Sequence, residues 1–188
     1  TRLIFAKANP PLVIPELRPS LVLNLGEDGS NWHTGRAGMQ YRDLIPDRHG
    51  GRFIVSHIRI PEGGPVPDYV HHHKIHFQMI FCYKGWVKVV YEDQGPPFVM
   101  KSGDCVLQPP QVRHQVLECS DGLEVIEVSS PAEHETYTDH LLELPNSKTD
   151  PSRNFSGQRF RFFKTENTNW EKNPSKGFSQ DTGIGSAT

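Results

Sequence analysis

The sequence predicts an all-β domain, a barrel or a sandwich of short strands. Its 188 residues include 16 glycines and 16 prolines but only 35% hydrophobic residues, which is typical of short segments joined by turns. Between Arg52 and Val128, alternating or aliphatic-rich runs recur about every 8 to 12 residues, the rhythm of a barrel or sandwich. The length suits one domain with extensions.

Seven runs in this region have the pattern of β-strands, and turn signals rich in glycine and proline separate them. The runs are RFIVSHIRI (52–60), HFQMIFCYK (76–84), WVKVVYE (86–92), FVMKS (98–102), CVLQPP (105–110), HQVLE (114–118) and LEVIEVS (123–129). The flanks differ from them. Residues 1–50 mix turns with short extended pieces, and residues 141–188 are mostly polar.

Charge and cysteine content favour a protein that acts on small molecules. A net charge of -2 gives no pull toward nucleic acid or an anionic membrane surface, so we expect neither as a partner. No apolar run approaches the roughly 18 to 20 residues of a spanning helix, and the first residues lack a signal-peptide pattern. We expect a cytoplasmic protein, and a leader upstream of Thr1 stays an open alternative. The number of cysteines is odd and they are widely spaced, at Cys82, Cys105 and Cys119. We therefore expect reduced, buried thiols and not a disulfide framework.

A dense histidine cluster is the main candidate site. On a strand, side chains two residues apart share a face, so His71 and His73 project together and His72 points the other way. His114 follows the turn at Pro109, on a strand that antiparallel pairing would bring near this pair. The three imidazoles therefore predict a site for one metal ion.

These two stretches resemble the two signature motifs of the cupin superfamily. The first motif is G, five residues, HxH, three or four residues, E, six residues, G, and the second is G, five residues, PxG, two residues, H, three residues, N. The matching positions are His71, His73, Gln78 in place of glutamate, Gly85, Gly103, Pro109 and His114. Gly64 lies one residue too far from His71, Gln111 replaces the second glycine and Glu118 replaces asparagine. The resemblance covers roughly residues 50 to 130.

The resemblance implies a cupin double-stranded β-helix, or jelly-roll barrel, with irregular N- and C-terminal extensions. Its expected divisions are an N-terminal extension packing on the barrel (1–50), the cupin barrel (51–140), and a polar linker with a C-terminal tail (141–188). Asn31-Trp32 before Gly38 is echoed by Asn169-Trp170 before Gly177, so the tail is either the start of a second cupin repeat or a chance similarity. Cupin barrels commonly pair, and we therefore expect a homodimer.

The resemblance also implies the metal ligands. His71, His73 and His114 are the expected ligands, and Gln78 is either the fourth ligand or a hydrogen-bond donor to a bound oxygen. Neutral imidazoles suit Fe, Ni, Cu and Zn better than Mn or Mg. The set is similar to that of three-histidine dioxygenases of the acetylacetone, cysteine and gentisate types. It favours one divalent Fe(II) ion, with Zn, Ni, Cu or Mn as alternatives.

We therefore expect a mononuclear non-haem dioxygenase acting on a small oxygen-rich or aromatic substrate. One alternative is a metal-assisted isomerase or lyase in which His76 or Tyr69 moves a proton. His76 would also replace a missing ligand if its strand bends. Another alternative is a non-catalytic cupin that binds a small molecule.

Strand parity and nearness to the ligands predict which residues surround the site. The expected pocket-lining residues are Phe77, Met79, Phe81, Val106 and Gln108. Arg59 and Arg113 are the expected clamps for a substrate carboxylate, because a planar guanidinium binds one through two hydrogen bonds.

Overall fold

The computed structural model describes residues 21–24, 31–173 and 177–188, and most of their regular structure is β-strand. The strands are β1 (His33–Thr34), β2 (Gln40–Asp43), β3 (Ile54–Ile60), β4 (Gly64–Pro65), β5 (His71–His73), β6 (Phe77–Lys84), β7 (Trp86–Tyr91), β8 (Phe98–Lys101), β9 (Cys105–Leu107), β10 (His114–Cys119), β11 (Leu123–Ser130), β12 (Thr136–Thr138), β13 (Asn154–Phe155), β14 (Gln158–Arg159), β15 (Arg161–Phe163), β16 (Glu171–Asn173) and β17 (Gly177–Ser179). The helical pieces are α1 (Arg48–Gly51) and three 3-10 turns, Arg36–Gly38, Thr165–Asn167 and Ile184–Ser186. No helix in these ranges is long and apolar enough to cross a membrane.

Two antiparallel sheets form a jelly roll. The larger has the order β1-β2-β3-β11-β6-β9-β15, and the smaller has the order β12-β5-β10-β7-β8 with β4 beside β10. Within them, eight strands pair as nested hairpins: β3 with β11, β5 with β10, β6 with β9, and β7 with β8. This first-to-last pairing is the double-stranded β-helix of a jelly roll. The predicted fold class is confirmed.

The seven sequence runs are seven strands of this barrel, β3 and β6 to β11. The turn between β6 and β7 depends on Gly85, whose φ is 78°. A β-carbon there would lie 2.3 Å from Ser120 Oγ, so the position needs glycine for both conformation and space. The turn is therefore fixed by a residue that the motif also requires.

The barrel has an inner core and a second core on its outer face. Along β6, Ile80 and Cys82 pack against the inner core, and the alternate residues Phe77, Met79 and Phe81 pack outside. The inner core also contains Val106, whereas the neighbouring Cys105 and Leu107 belong to the outer one. Because alternate side chains of a strand face opposite sides of the sheet, a residue adjacent to an inward one lies outside.

The end of the chain covers this outer core. β15 pairs with β9 and extends the larger sheet, and Phe163, Ile184 and Ala187 bury their side chains against the outer face. Asp104 links this C-terminal segment to the barrel. Its carboxylate accepts hydrogen bonds from the backbone N–H groups of Lys101 in the barrel and of Thr165 after β15, both at 2.9 Å. Within residues 141–188, β15 and the segment 184–187 therefore pack on the chain's own barrel. A second cupin repeat stays a prediction, and residues 174–176 of the sequence echo lie outside the described residues.

The N-terminal extension is described only at residues 21–24 and 31–50. There β1 and β2 continue the larger sheet beside β3. Trp32 lies under the guanidinium groups of Arg59 and Arg42, 4.0 and 5.2 Å from its ring centre. The three cysteines are buried and free of disulfides, as the sequence predicts.

Candidate metal centre

Strand pairing brings three histidines together inside the barrel. β10 pairs with β5 so that His114 lies opposite His71, and His73 follows two residues later on the same face. Gln111 shapes the turn before β10, with a φ of 61° at the position where the cupin motif has glycine. Its backbone N–H donates to the carbonyl of His73 at 3.1 Å, which ties this turn to β5.

The three imidazoles converge on one point. Their ligand nitrogens all lie within 4.8 Å of one another, a separation that one metal ion can bridge. The ring centres are 4.1 Å apart for His71 and His114, and 5.1 and 5.3 Å for the pairs with His73. His72 faces the other way and stacks on Tyr137, as the sequence predicts.

Hydrogen bonds at Nδ1 orient all three rings. Nδ1 of His71 lies 2.9 Å from the carbonyl of Tyr69, and Nδ1 of His114 lies 3.0 Å from that of Val112. Nδ1 of His73 lies 2.8 Å from Thr136 Oγ1. Because a carbonyl only accepts, Nδ1 of His114 carries the proton and Nε2 keeps its lone pair. At His71 the Tyr69 carbonyl, which is closer to Nδ1 than the Arg36 guanidinium at 3.3 Å, favours the same tautomer. This arrangement, with Nε2 left for the metal, is typical of histidine ligands.

The site also keeps the imidazoles neutral. Burial lowers the pKa of His71 to about 4 and that of His73 to about 2. Burial, with the two neighbouring histidines, holds the pKa of His114 well below its ordinary value. Neutral imidazole is the form that binds a metal, so no proton has to leave at neutral pH.

A chain of polar side chains runs beside the histidines. The Tyr91 hydroxyl donates to Gln108 Oε1 at 2.6 Å, and Gln108 Nε2 donates to Gln78 Oε1 at 2.8 Å. Gln108 Nε2 also lies 3.4 Å from His114 Nε2. Gln78 therefore lies at the predicted place in the barrel interior, and its oxygen already accepts a hydrogen bond. Its roles as a fourth ligand and as a catalytic residue stay predictions.

His76 lies outside the group of three histidines. It is at the bend before β6, where its backbone N–H donates to the Ser130 carbonyl at 2.8 Å and its carbonyl accepts from Gln158 Nε2. Its predicted catalytic role stays a prediction.

A cavity of about 80 Å³ lies between the two sheets, and His73 and His114 are part of its wall. Most of the wall is apolar, with contributions from Ile58, Ile80, Val89, Met100 and Val125. Gln108 lines the cavity as predicted, but Phe77, Met79 and Phe81 do not, because they belong to the outer core. Val106 packs in the inner core without reaching the wall. A volume of this size admits a small molecule.

The two predicted carboxylate clamps are wrong. Arg59 lies outside the barrel, where it covers Trp32 and donates to Gln40. Arg113 forms ion pairs with Asp139 and Glu92, at 2.6 and 3.4 Å. Neither guanidinium lines the cavity.

Sequence reasoning missed two charged residues of the wall, Arg36 and Glu127. Arg36 belongs to the first 3-10 turn and pairs with Asp68. Glu127 follows Leu123 and Val125 along the inward face of β11, and the hydroxyl of Ser129 donates to it at 3.3 Å. Burial raises the pKa of Glu127 and so favours its neutral form.

Comparisons with known proteins find no matching family model and no matching curated protein. They do find solved structures. Oxalate decarboxylase from Bacillus subtilis is 16% identical, with 69% of this chain and 34% of that chain covered and a TM-score of 0.49. KdgF from Halomonas sp. is 20% identical, with 62% and 96% covered and a TM-score of 0.49. An RmlC-like cupin from Shewanella frigidimarina is 22% identical, with 63% and 96% covered and a TM-score of 0.48.

The chain thus spans about a third of the length of the decarboxylase that it matches. The jelly-roll assignment rests on the strand order and not on these likenesses.

Proposed function

We propose that this protein is a mononuclear metal-dependent cupin, and that it is an Fe(II) dioxygenase for a small oxygen-rich or aromatic substrate. The observation that carries the proposal is the convergence of His71, His73 and His114 inside the barrel, with their Nδ1 atoms held by other groups. Such a face supplies three neutral nitrogen donors and no carboxylate. Imidazole donors suit iron, nickel, copper and zinc.

The chain's own atoms fit such an ion. Nε2 of His71 is buried and has no hydrogen-bond partner among the described residues. An unpaired polar atom inside a protein is costly, and a metal bond to its lone pair would remove that cost. When bound, the metal would supply open coordination positions at which a substrate oxygen and dioxygen meet.

The surrounding residues would position the substrate and exclude water. The apolar wall shields the cavity, and the ring of Tyr91 stacks on His114 with centres 5.5 Å apart. The side-chain amide of Gln108 lies between Tyr91 and Gln78. Its Nε2 is 3.4 Å from His114 Nε2, so it would reach a ligand bound beside His114. Gln78 Oε1 accepts one hydrogen bond from Gln108 and keeps a second lone pair for the metal as a fourth ligand.

The test is oxygen consumption by the iron-loaded protein with a panel of β-diketones, catechols and hydroxylated aromatic acids. Substrate-dependent uptake that is lost in His114→Ala is the expected result. His140→Ala, which removes an exposed histidine outside the cluster, is the matched control and should behave as wild type. No uptake with any compound, in protein shown to contain iron, would refute the dioxygenase assignment.

Glu127 favours a second candidate, a metal-assisted isomerase or lyase. A carboxyl with a raised pKa that lines the cavity with His73 and His114 has the properties of a proton carrier. Tyr69, by contrast, lines a separate surface groove. The zinc-loaded protein would then exchange deuterium from heavy water into an enolisable substrate without oxygen, and Glu127→Gln would abolish the exchange. A protein that binds no metal would support the non-catalytic alternative.

A further inference from the structure

Arg36 brings a permanent positive charge to the cavity wall. Of the wall residues in the described part of the chain, it is the one arginine, and none is a lysine. It comes from the N-terminal extension, 35 residues before His71, and its Nη1 lies 3.3 Å from Nδ1 of that histidine.

Asp68 and the hydroxyl of Tyr41 both contact the Arg36 guanidinium, and its five N–H groups exceed what these two partners use. The bond to Asp68 uses Nη1, and the other oxygen of Asp68 accepts from the backbone N–H of Val116 at 2.9 Å. The Asp68 side chain is fully buried, whereas that of Arg36 is 22% exposed. A guanidinium has five N–H donors in a fixed plane, and two of them match the two oxygens of a carboxylate.

We propose that Arg36 anchors the carboxylate of the substrate, and that the site therefore takes a small carboxylate with a second oxygen for the metal. This inference depends on the proposed function only for the metal that would bind the second oxygen. An anion in this mostly apolar cavity needs a cationic partner, because an unpaired buried charge is very costly.

The experiment compares a small anion with its neutral analogue. Binding of pyruvate and of pyruvamide is measured by ligand-detected NMR titration, with zinc-loaded protein and with chelator-treated protein. A hydrogen bond to a charged partner is worth about 1.5 to 3 kcal/mol, so pyruvate should bind about 10 to 150 times more tightly than pyruvamide. Arg36→Gln should remove this preference, and Arg59→Gln, which changes an arginine outside the barrel, should keep it.

The ratio of the two affinities separates anchoring from a merely structural role. If Arg36→Gln weakens pyruvate and pyruvamide by the same factor, or leaves the wild-type ratio intact, the proposal is wrong. Arg36→Lys keeps a positive charge beside Asp68 and should retain part of the preference for pyruvate. This variant tests the proposal if Arg36→Gln does not fold. The chelator-treated protein isolates the anchor: loss of the preference there overturns this proposal, whereas absence of bound metal affects only the proposed function.

Discussion

Thr136 offers a direct test of how the metal site is held. Its hydroxyl lies beside Nδ1 of His73, whereas the nearest partners of Nδ1 in His71 and His114 are backbone carbonyls. Thr136→Val keeps the shape of the residue and removes the oxygen that lies 2.8 Å from His73 Nδ1. The ring of His73 would then lose the bond that fixes its orientation.

The structure sets the size of the effect. Removing the hydrogen-bond partner of a histidine ligand typically weakens metal binding 10- to 100-fold, or about 1.4 to 2.8 kcal/mol. Thr136 is exposed, and water can replace its hydroxyl in part. We therefore expect the lower end of this range, a loss of about tenfold in zinc affinity.

The assay is a zinc titration against a chromophoric chelator. Thr138→Val is the matched control, because Thr138 is another exposed threonine of β12, two residues further on, and it should keep the wild-type affinity. Thr136→Ser retains a hydroxyl and should do the same. Equal affinities for Thr136→Val and Thr138→Val would refute the idea that this hydrogen bond orients His73.

Three further predictions concern stability. Ile184 is 5% exposed in the outer core, so Ile184→Ala should leave a cavity there. The substitution should lower the free energy of unfolding by about 3 kcal/mol and Tm by about 6 to 12 °C. Leu141→Ala, at a residue that is 98% exposed, is the control and should change Tm little. Gln111→Gly relieves the positive φ and should add about 0.5 kcal/mol in urea unfolding, with no gain for Gln111→Ala. In metal-free protein, the folded-state pKa values of His71 and His73, about 4 and 2, lie below the 6.5 of a free histidine, so the unfolded chain binds more protons below pH 6.5. Stability should fall with pH from about 6.5 downward, by up to about 1.4 kcal/mol per pH unit for each histidine. An unchanged urea midpoint between pH 7 and pH 5 would contradict this.

Local patterns in the sequence predict most of the barrel and the histidine cluster. The period of two identifies the strands, and the fixed spacing of the motifs puts His71, His73 and His114 on inward faces of paired strands. The lining prediction is right for Gln108 and wrong for Phe77, Met79 and Phe81, which lie on the outer face of β6. Phe77 and Met79 flank Gln78 and must lie on the opposite side of β6.

The other cavity residues show which information a local pattern lacks. Glu127 did carry a signal, because a carboxylate in the inward row that contains Leu123 and Val125 is unusual in a core. No local pattern in the sequence pointed to Arg36. It lies in an irregular turn far from the motifs, and it reaches the cavity only through the packing of the N-terminal extension. The outer core likewise depends on long-range packing of the C-terminal residues.

The homodimer stays a prediction, which light scattering checks against the chain mass of 21.3 kDa. A mass of about twice that value would support it.

Metal analysis by plasma mass spectrometry tests the central claim most directly. We expect close to one equivalent of iron per chain in the wild type and in His140→Ala, and little in His114→Ala, which lacks one of the three converging imidazoles. Circular dichroism of all three proteins would show that the barrel is intact. Wild-type protein that holds no divalent metal even after reconstitution, or His114→Ala that holds as much as wild type, would contradict the account.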